Sequence, residues 1–482
     1  MMGFVSSYYC PVCGREFKPL TSLRQCPRCS TPLFTRYELG KSKFREVIRR
    51  AKARAELGVW SFHPVLPVRT AGASMGEGWT PLVRAGGLSK VLKLRNLYLK
   101  NESVNPTGTF IDRGVAVDLW VAKSSGFTKA VVPALGDYAV ASSAYAAKYG
   151  LDVAIYTLRS VEAGKVYRAL LTGASIAYFD SYSKAVERAE KASREYGYYL
   201  CLTSSPTVID GYRTLVFEMA LSLGDVDVLV VPAGNGVLSA AVYKAYLELE
   251  EAGLAEMPRV VIVQSAALPA IAERIVEVGP YRDTGIGGIA PDLMIEKPLA
   301  LDIAVKAVKE SGGTAVIVSD SEMLEAVIAL ARYEGVVLEP AGAASLAGLM
   351  KLVNEGFIDS GERVAVVITG SSSKDPFILM RAIERDRDLL RRLQSYEGLA
   401  GYSLGKMKVE ILRILMECKA LHTYGVWKRM VDKGISISLP TVHYHIKLLE
   451  SYGLIRVVGR QGRRILYGVS EDGLAVLRRL RG

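Results

Sequence analysis

Apolar and polar residues follow two different periods along this chain. Between about residues 76 and 376, short continuous apolar runs are separated by longer stretches in which apolar residues recur at helical spacing. Continuous apolar runs predict strands that are buried on both faces, and strands that alternate with helices predict a mainly parallel, doubly wound α/β sheet. The expected strands are Ala130–Pro133, Val153–Thr157, Val226–Val231, Val260–Gln264 and Val364–Ile368.

The pattern changes at both ends of this body, which predicts three domains. Residues 1–40 are short, turn-rich and contain paired cysteines, and a basic helical stretch follows them at residues 41–56. After a charged helical pattern at residues 381–394 comes a glycine-containing stretch that is typical of a linker. We therefore expect a small module at residues 1–40, an α/β body at 41–395, and a linker with a separate domain at 396–482.

The last domain has three helical patterns followed by a hairpin. The helical patterns lie at Met407–Lys419, at Val426–Val431 and from Ser438 onward, where Ser438 suits a helix cap and Pro440 the first turn. In the third helix, the predicted buried stripe is Val442, Ile446 and Leu449. The remaining residues of interest are expected on the outer face of that helix or at the hairpin tip: Thr441, His443, Tyr444, Lys447, Arg463 and Arg464.

This order resembles a winged helix-turn-helix domain of the kind found in prokaryotic transcription regulators. The resemblance implies a recognition helix in the major groove of double-stranded DNA and a hairpin near a phosphate or the minor groove. The alternative is a winged helix that contacts protein, with its arginines only solvated. His443 and His445 cannot share one helical face, so we do not expect a metal site there.

The distribution of charge favours DNA as the partner of this domain. The chain has a formal net charge of +12. Residues 402–482 contain 15 Lys and Arg against 6 Asp and Glu, a surplus of 9, which leaves only +3 for the preceding residues. A basic surplus confined to one domain is typical of a domain that binds nucleic acid.

Composition also limits the class of protein. Half of the residues are apolar, which is enough for a large buried core, yet we see no run of about eighteen uncharged apolar residues and no signal-peptide pattern at the start. We therefore expect a soluble, cytoplasmic protein with no membrane partner.

Four of the six cysteines form two close pairs near the start of the chain. Cys10 and Cys13 are separated from Cys26 and Cys29 by twelve residues, and each pair lies in a turn-forming sequence. This spacing lets four thiolates reach one tetrahedral zinc ion, and a site with four thiolates has no open position for a substrate. We predict a zinc ribbon with a structural zinc; the alternative is four unligated thiols in a reducing compartment.

The body closely resembles threonine synthase. The resemblance covers about 370 residues, including the zinc-ribbon-like start, and implies the fold of fold-type II pyridoxal-phosphate enzymes, which commonly form homodimers. It is carried by GEGWTPL at 76–82, LYLKNE at 97–102, NPTGTFIDRG at 105–114, AYAA at 144–147, SGGTA at 311–315, EPAGAASLAG at 339–348, and TG through KDP at 369–376.

The family's pattern reads NPTGSFKDRG, and its lysine forms the imine with pyridoxal phosphate. Here the aligned residue is Ile111, which has no nitrogen and therefore can neither form the imine nor transfer a proton. Rescue by Lys100 or Lys374 would require the cofactor to be aimed differently. The resemblance thus implies a body without catalytic lysine, in which pyridoxal phosphate is absent or bound only non-covalently.

A second part of the family's site is also altered. The loop that holds the substrate carboxylate in the family aligns with residues 134–138 here, and most of its donor groups are missing. An ionised Asp137 would face the negatively charged phenolic oxygen of the cofactor, which opposes binding.

Other residues of the family's cofactor site are retained in part. The glycine-rich turn at 232–239 follows a predicted strand and precedes a helix, where backbone amides suit an anion. Val237 would narrow the approach of a phosphate, and such turns are equally common as packing devices. The residues expected at a vestigial ligand or phosphate site are Asn105, Gly234, Asn235, Gly236, Val237 and Thr369.

These observations lead to three hypotheses of function. The first is a DNA-binding transcriptional regulator whose catalytically disabled body senses an amino-acid-like or phosphorylated ligand, or supplies a homodimer. The second is an active threonine-synthase-like lyase with an added regulatory tail. The third is a scaffold whose body binds no small molecule.

Overall fold

A computed structural model describes residues 4–20, 22–277, 288–374, 405–435, 437–451, 453–462 and 464–479. The chain divides into two compact units, Met1–Met350 with Ile358–Leu390, and Lys351–Phe357 with Arg391–Gly482. The predicted charged helix at 381–394 and the start of the predicted linker at 396 lie outside the described residues.

The first unit opens with a small antiparallel sheet that is packed against the body. Its strands are β1 (Val5–Tyr9), β2 (Glu16–Phe17) and β3 (Phe34–Tyr37), in the order β2-β1-β3. Phe34 is fully buried and belongs to the main hydrophobic core. The small sheet is therefore packed into the hydrophobic core of the first unit.

The basic stretch after this sheet forms helix α1 (Lys41–Ala51). Phe44, Val47 and Ile48 of α1 are buried, as the helical spacing of these apolar residues requires. A stretch of 3₁₀ helix (Lys52–Val65) with non-helical dihedral angles at Arg54 and Gly58 follows and leads into the body.

The body contains two sheets. The larger sheet has the strand order β12-β11-β10-β13-β5-β4, and all its pairs are parallel except β4 with β5. Its strands are β4 (Leu82–Arg84), β5 (Asn96–Asn101), β10 (Val228–Pro232), β11 (Arg259–Ser265), β12 (Thr314–Val318) and β13 (Arg363–Ile368).

The smaller sheet has the order β8-β7-β6-β9 and is entirely parallel. Its strands are β6 (Lys129–Pro133), β7 (Asp152–Leu158), β8 (Ser175–Phe179) and β9 (Tyr199–Leu200). The predicted strands all form, but the expectation of one doubly wound sheet is wrong. Alternation of strands and helices predicts parallel pairing without saying which strands are neighbours, and β6–β9 pair only with one another.

Helices cover these sheets and fill the two main cores. Around the smaller sheet, Leu119, Ala141 and Tyr145 of the flanking helices form a buried cluster with Val132 and Ile155. The helices of the body are α2 (Gly86–Leu92), α3 (Ile111–Ser124), α4 (Asp137–Tyr149), α5 (Ala163–Leu171), α6 (Tyr182–Tyr196), α7 (Pro206–Leu223), α8 (Val237–Glu251), α9 (Leu301–Glu310), α10 (Asp320–Glu334) and α11 (Pro340–Glu355).

The second unit contains helices α12 (Gly405–Cys418), α13 (Thr423–Asp432), α14 (Leu439–Ser451) and α15 (Glu471–Arg479) and an antiparallel hairpin of β14 (Ile455–Gln461) and β15 (Arg464–Val469). The predicted stripe is confirmed, because Val442, Ile446 and Leu449 are all fully buried in the core of this unit. Ser438 lies before α14, and its hydroxyl accepts a hydrogen bond from the Thr441 amide at 3.3 Å.

Candidate functional site

Ile111 is the first residue of α3 and lies at the boundary of the two main cores. The two residues that follow are held by buried polar contacts. Asp112 accepts hydrogen bonds from the amide and the hydroxyl of Thr107, at 2.7 and 2.5 Å. Arg113 forms ion pairs with Glu102 at 2.6 Å and Glu218 at 2.5 Å. The motif is therefore folded around a side chain that cannot supply an amine.

Asn105, a predicted ligand-site residue, is engaged in the protein's own structure. Its side-chain oxygen accepts a hydrogen bond from the Gly78 amide at 3.0 Å, and its amide group donates to the carboxylate of Glu102 at 2.9 Å. It is buried, and these contacts fix the turn before α3. Lys100, considered as a replacement amine, donates to Glu218 at 2.7 Å and to the Thr80 carbonyl at 2.8 Å.

The predicted phosphate loop has the expected strand-to-helix geometry, between β10 and α8. The Asn235 side chain accepts a hydrogen bond from the Val237 amide at 3.1 Å and donates to Thr203 at 3.3 Å. Gly236 adopts a φ of 78°, which favours glycine. At Gly234, a Cβ atom would overlap the carbonyl oxygen of Asp292, so the chain itself packs against this loop.

Thr369 follows β13, as the resemblance implies, and is buried. Its amide donates to the Gly342 carbonyl at 3.3 Å. The next residue, Gly370, lies against the side chain of Glu339, where a Cβ atom would overlap the carboxylate. Thr369 is therefore placed beside a charged group that sequence reasoning did not select.

That charged group belongs to a cluster of two lysines and several carboxylates in the first unit. Lys374 pairs with Asp137 and, at 2.9 Å, with Glu339. Lys165 pairs with Asp137 at 3.1 Å and with Asp292 at 3.3 Å. The carboxylates of Asp137, Asp292 and Glu339 have oxygen atoms within 4.8 Å of one another. We call these five residues the charge cluster.

Burial and mutual attraction shift the pKa values in the charge cluster. Burial opposes ionisation of Asp137, but the ammonium groups of Lys374 and Lys165 outweigh it and lower its pKa. Burial and the negative charge of Asp137 raise the pKa of Glu339 to about 7. The pKa of each lysine is raised by neighbouring carboxylates despite burial. Asp137, predicted to repel a cofactor oxygen, is thus neutralised by lysines of the chain.

Sequence reasoning missed Lys165, Asp292 and Glu339 as members of a site. Lys165 lies in the first turn of α5, a position where a lysine is ordinarily solvated, yet it is 1% exposed. Gly136 lies against the Lys165 side chain, where a Cβ atom would approach the ammonium group to 3.1 Å, but a glycine alone does not indicate a buried lysine. These residues are far apart in sequence, so their contacts can be identified only in the folded structure.

The four predicted zinc ligands meet at one point. The sulfur atoms of Cys10, Cys13, Cys26 and Cys29 lie within 4.8 Å of one another. The backbone turns tightly after each pair, with hydrogen bonds from Gly14 to Cys10 and from Ser30 to Cys26. Four sulfur atoms at this separation fit a tetrahedral zinc ion.

The residues predicted to face DNA are exposed on one helix of the second unit. Thr441, His443, Tyr444 and Lys447 are all exposed on α14, and Tyr444 is 62% exposed. The guanidinium of Arg464, at the start of β15, lies 5.9 Å from the ring centre of Tyr424 and 3.4 Å from Nε2 of His422. Arg463 lies outside the described residues. His445 is half-buried, and burial lowers its pKa.

Within the described ranges, the chain has no helix that is both long and apolar enough to cross a membrane.

Comparisons with known proteins identify the body. A family model described as pyridoxal-phosphate dependent enzyme matches residues 73–370. The threonine synthase of Methanocaldococcus jannaschii is 32% identical over 401 residues, which cover 80% of this chain and 98% of that protein. The threonine synthase of Mycobacterium tuberculosis (strain H37Rv) is 34% identical over 306 residues, which cover 62% of this chain and 83% of that protein.

Solved structures support the same fold. Maize serine racemase matches with a TM-score of 0.54 and 18% identity, covering 73% of this chain and 98% of that chain. Diaminopropionate ammonia lyase from Escherichia coli matches with a TM-score of 0.54 and 15% identity, covering 71% and 92%. At these identities the likeness concerns the fold alone. The family model and the sequence relatives, taken together with that fold, show that this chain belongs to the pyridoxal-phosphate dependent enzyme family and has a threonine-synthase-like body.

Proposed function

We propose that this protein is a DNA-binding transcriptional regulator whose threonine-synthase-like body binds a small ligand without a covalently held cofactor. The observation that carries the proposal is the replacement of the cofactor lysine by Ile111 in a chain that also has a basic unit with an exposed polar helix. The body would sense the ligand, and the second unit would bind DNA.

The residues at the site do not fit pyridoxal phosphate held as an imine. Membership of the family implies a site for this cofactor, but residue 111 offers no nitrogen. Asp137, Asp292 and Glu339 place three carboxylates close together, and the backbone carbonyl of Asp292 packs against Gly234 of the predicted phosphate loop. The three carboxylates outnumber the two lysines that pair with them, which disfavours a further negative charge. The carbonyl of Asp292 narrows the approach to the loop.

The second unit supplies what DNA binding requires. A surplus of nine positive charges attracts phosphates, and α14 presents Thr441, His443, Tyr444 and Lys447 to solvent. A polar helix face of this kind can reach base edges, whereas basic residues at a hairpin mainly contact phosphates. Two copies of the unit in a homodimer would recognise a pseudo-palindrome with half-sites about one helical turn apart, or a multiple of that.

A gel-shift titration of the full chain on genomic DNA fragments over a salt series tests this proposal. Arg464→Ala should weaken binding to all sequences and reduce the slope of log K against log salt by about 0.9 for each phosphate that the protein no longer neutralises. Tyr444→Ala should instead change sequence preference, by roughly 1–3 kcal/mol for each base pair that it reads. Lys184→Ala, an exposed change in the body, is the matched control. Absence of binding at low salt would refute the regulator.

We also propose that the cysteine cluster holds one structural zinc ion. The four sulfur atoms complete the coordination of a tetrahedral ion and leave no position for substrate. Metal analysis of protein purified without chelator should give one zinc per chain, and a cadmium- or cobalt-substituted sample should show the charge-transfer absorbance of thiolate ligands. Protein without bound metal would contradict this assignment.

A second candidate function is an active lyase of the threonine synthase kind, which the extent of the match to threonine synthases favours. This function needs another amine, and Lys165 and Lys374 are both buried in the charge cluster. Incubation with pyridoxal phosphate, desalting and borohydride reduction distinguish the two functions. A labelled lysine together with turnover of phosphohomoserine would favour the lyase, whereas the regulator predicts neither.

A further inference from the structure

The positive charge that lies outside the second unit is concentrated in one short stretch, in and just after α1. Residues 41–54 contain seven Lys and Arg and a single acidic residue, Glu46, which is a surplus of six. Residues 1–401 together have a surplus of only three, so the rest of that part of the chain is net negative by three. The basic character of α1 is therefore local.

The buried face of α1 separates its basic residues into two flanks. On one flank, Lys43 and Arg50 both pair with Glu46, at 3.0 and 2.8 Å. On the other flank, four basic residues follow one another at intervals of four, four and three, which places them in one row along the helix. We call this row the basic ridge: Lys41, Arg45, Arg49 and Lys52.

The protein neutralises the basic ridge only weakly. Lys41 pairs with Glu251 at 3.4 Å, but their side chains are 66% and 63% exposed, and such a pair contributes little. Arg45 donates from Nε to the backbone carbonyl that follows α8, at 2.7 Å. The side chains of Arg49 and Lys52 have neither an ion pair nor a hydrogen bond within the part of the chain that the structure describes, and all four ridge residues are exposed.

This arrangement opposes the stability of the helix itself. Lys41 and Lys43 lie in the first turn of α1, which has no acidic residue and no side-chain cap. Positive charge is unfavourable there, because the N-terminal end of a helix dipole is also positive. Lys41 and Arg45, and likewise Arg45 and Arg49, are like charges four residues apart, which repel one another. The fold does not require these exposed charges, so a partner outside the chain accounts for them better.

We propose that the basic ridge binds the phosphate backbone of duplex DNA. The ridge extends along about 16 Å of helix, a length over which one DNA strand carries about five phosphates. The large apolar residues of α1 are all buried, which favours a polyanion over a lipid surface, where exposed apolar side chains would be needed. Contacts to phosphates carry no sequence information. The inference rests on the proposed function and adds the body as a second DNA-binding part of the chain.

Fluorescence anisotropy of the full chain with a labelled duplex, between 50 and 200 mM salt, tests the basic ridge. Arg49→Gln with Lys52→Gln removes two charges and keeps residues that favour a helix. The loss of two phosphate contacts should weaken binding to all sequences alike and reduce the slope of log K against log salt by about 1.8. The advantage of the unaltered protein over this double variant should therefore shrink about twelvefold across that salt range.

The matched control is Lys43→Gln with Arg50→Gln, which removes the same charge from the flank of α1 that is paired with Glu46. This control should reduce the slope much less. An equal reduction in both double variants would indicate long-range attraction alone and would overturn the contact. The two double variants should also melt at the same temperature. A lower melting temperature for the ridge variant would assign the ridge a structural role and count against the proposal.

Two competing probes test the class of the partner. Phosphatidylserine vesicles and polyglutamate present negative charge without a duplex. If the full chain binds either probe more tightly than the duplex, and the ridge variant loses that binding, the ridge belongs to a lipid or protein contact and the DNA contact is overturned.

Failure of this inference and failure of the proposed function give different results. Binding that responds to Arg464→Ala but not to the ridge variant overturns only the ridge. Binding that responds to the ridge variant but not to Arg464→Ala supports the ridge and refutes DNA binding by the second unit. A chain that binds no duplex at low salt refutes both.

Discussion

Asp210 gives a sharp test of how the N-terminal sheet is attached to the body. This residue of α7 is fully buried and accepts hydrogen bonds from Thr35, at 2.7 and 2.8 Å, and from the hydroxyl of Tyr37 at 2.6 Å, both in β3. It also forms ion pairs with Lys244 and with Arg213 at 3.2 Å. One carboxylate therefore holds two strand residues and balances two buried cations.

Asp210→Asn keeps the shape of the side chain and removes its charge. Glu248, whose side chain is 20% exposed, would then be the remaining carboxylate paired with both Lys244 and Arg213 among the described residues. Removing one member of a buried ion pair costs about 3–5 kcal/mol, because the charge left behind is not neutralised. We expect the free energy of unfolding of the first unit to fall by this amount. The N-terminal sheet should detach at a lower urea concentration than the one at which the rest of the unit unfolds.

Urea unfolding followed by tryptophan fluorescence measures this change. Three of the four tryptophans, Trp60, Trp79 and Trp120, lie in the first unit, so the signal reports mainly on that unit. A chromogenic chelator in the same samples records zinc release, which should occur at a lower urea concentration in Asp210→Asn. The control is Asp180→Asn, an exposed pair with Lys184 that should leave both transitions unchanged. A loss below about 1 kcal/mol in Asp210→Asn would refute this account of the buried pairs.

Three further predictions concern the other parts of the chain. Leu449→Ala removes a fully buried side chain from the core of the second unit, so it should lower the free energy of unfolding of that unit by about 2–5 kcal/mol and abolish the gel shift at 37 °C. Tyr444→Ala, on the exposed face, should leave the melting curve measured by circular dichroism unchanged. Chelation of zinc should lower the melting temperature of the first unit, because an ion that binds only the folded state stabilises that state. Cys26→Ser should have the same effect. Equal melting temperatures with and without chelator would contradict this prediction. The pKa of the Glu339 carboxyl is raised from 4.5 to about 7, so the folded state binds this proton more tightly than the unfolded chain does. The contribution of Glu339 to the free energy of unfolding should therefore fall as the pH rises from 4.5 to 7. Glu339→Gln should abolish this pH dependence, and identical pH profiles of the two proteins would refute the prediction.

The sequence predicts local features of this fold well. The buried stripe Val442, Ile446 and Leu449 follows from helical spacing alone, and the strand Val364–Ile368 from its continuous apolar run. The cysteine cluster is predictable for the same reason, because each pair of ligands lies within one turn of chain. In all these cases the information lies within a few neighbouring residues.

The division into two sheets and the charge cluster could not be predicted in this way. Strands β6 and β7 contain apolar runs like those of the larger sheet, and their pairing is what separates them from it. Lys165 and Asp292 are 127 residues apart in sequence and meet only in the folded chain. Their individual positions, one in a helix and one in a loop, carry no sign of burial or of ion pairing.

The contacts around Ile111 hold the motif at residues 105–114 in place. Arg113 pairs with Glu102 and Glu218, and all three side chains are completely buried. Loss of any one of these three charges would leave a buried charge without its partner, so the stability of the fold alone requires all three residues. Asp112 is likewise buried and bonded to the turn that precedes it. None of these hydrogen bonds or ion pairs uses the side chain of residue 111. Resemblance in the residues around position 111 is therefore evidence for the fold.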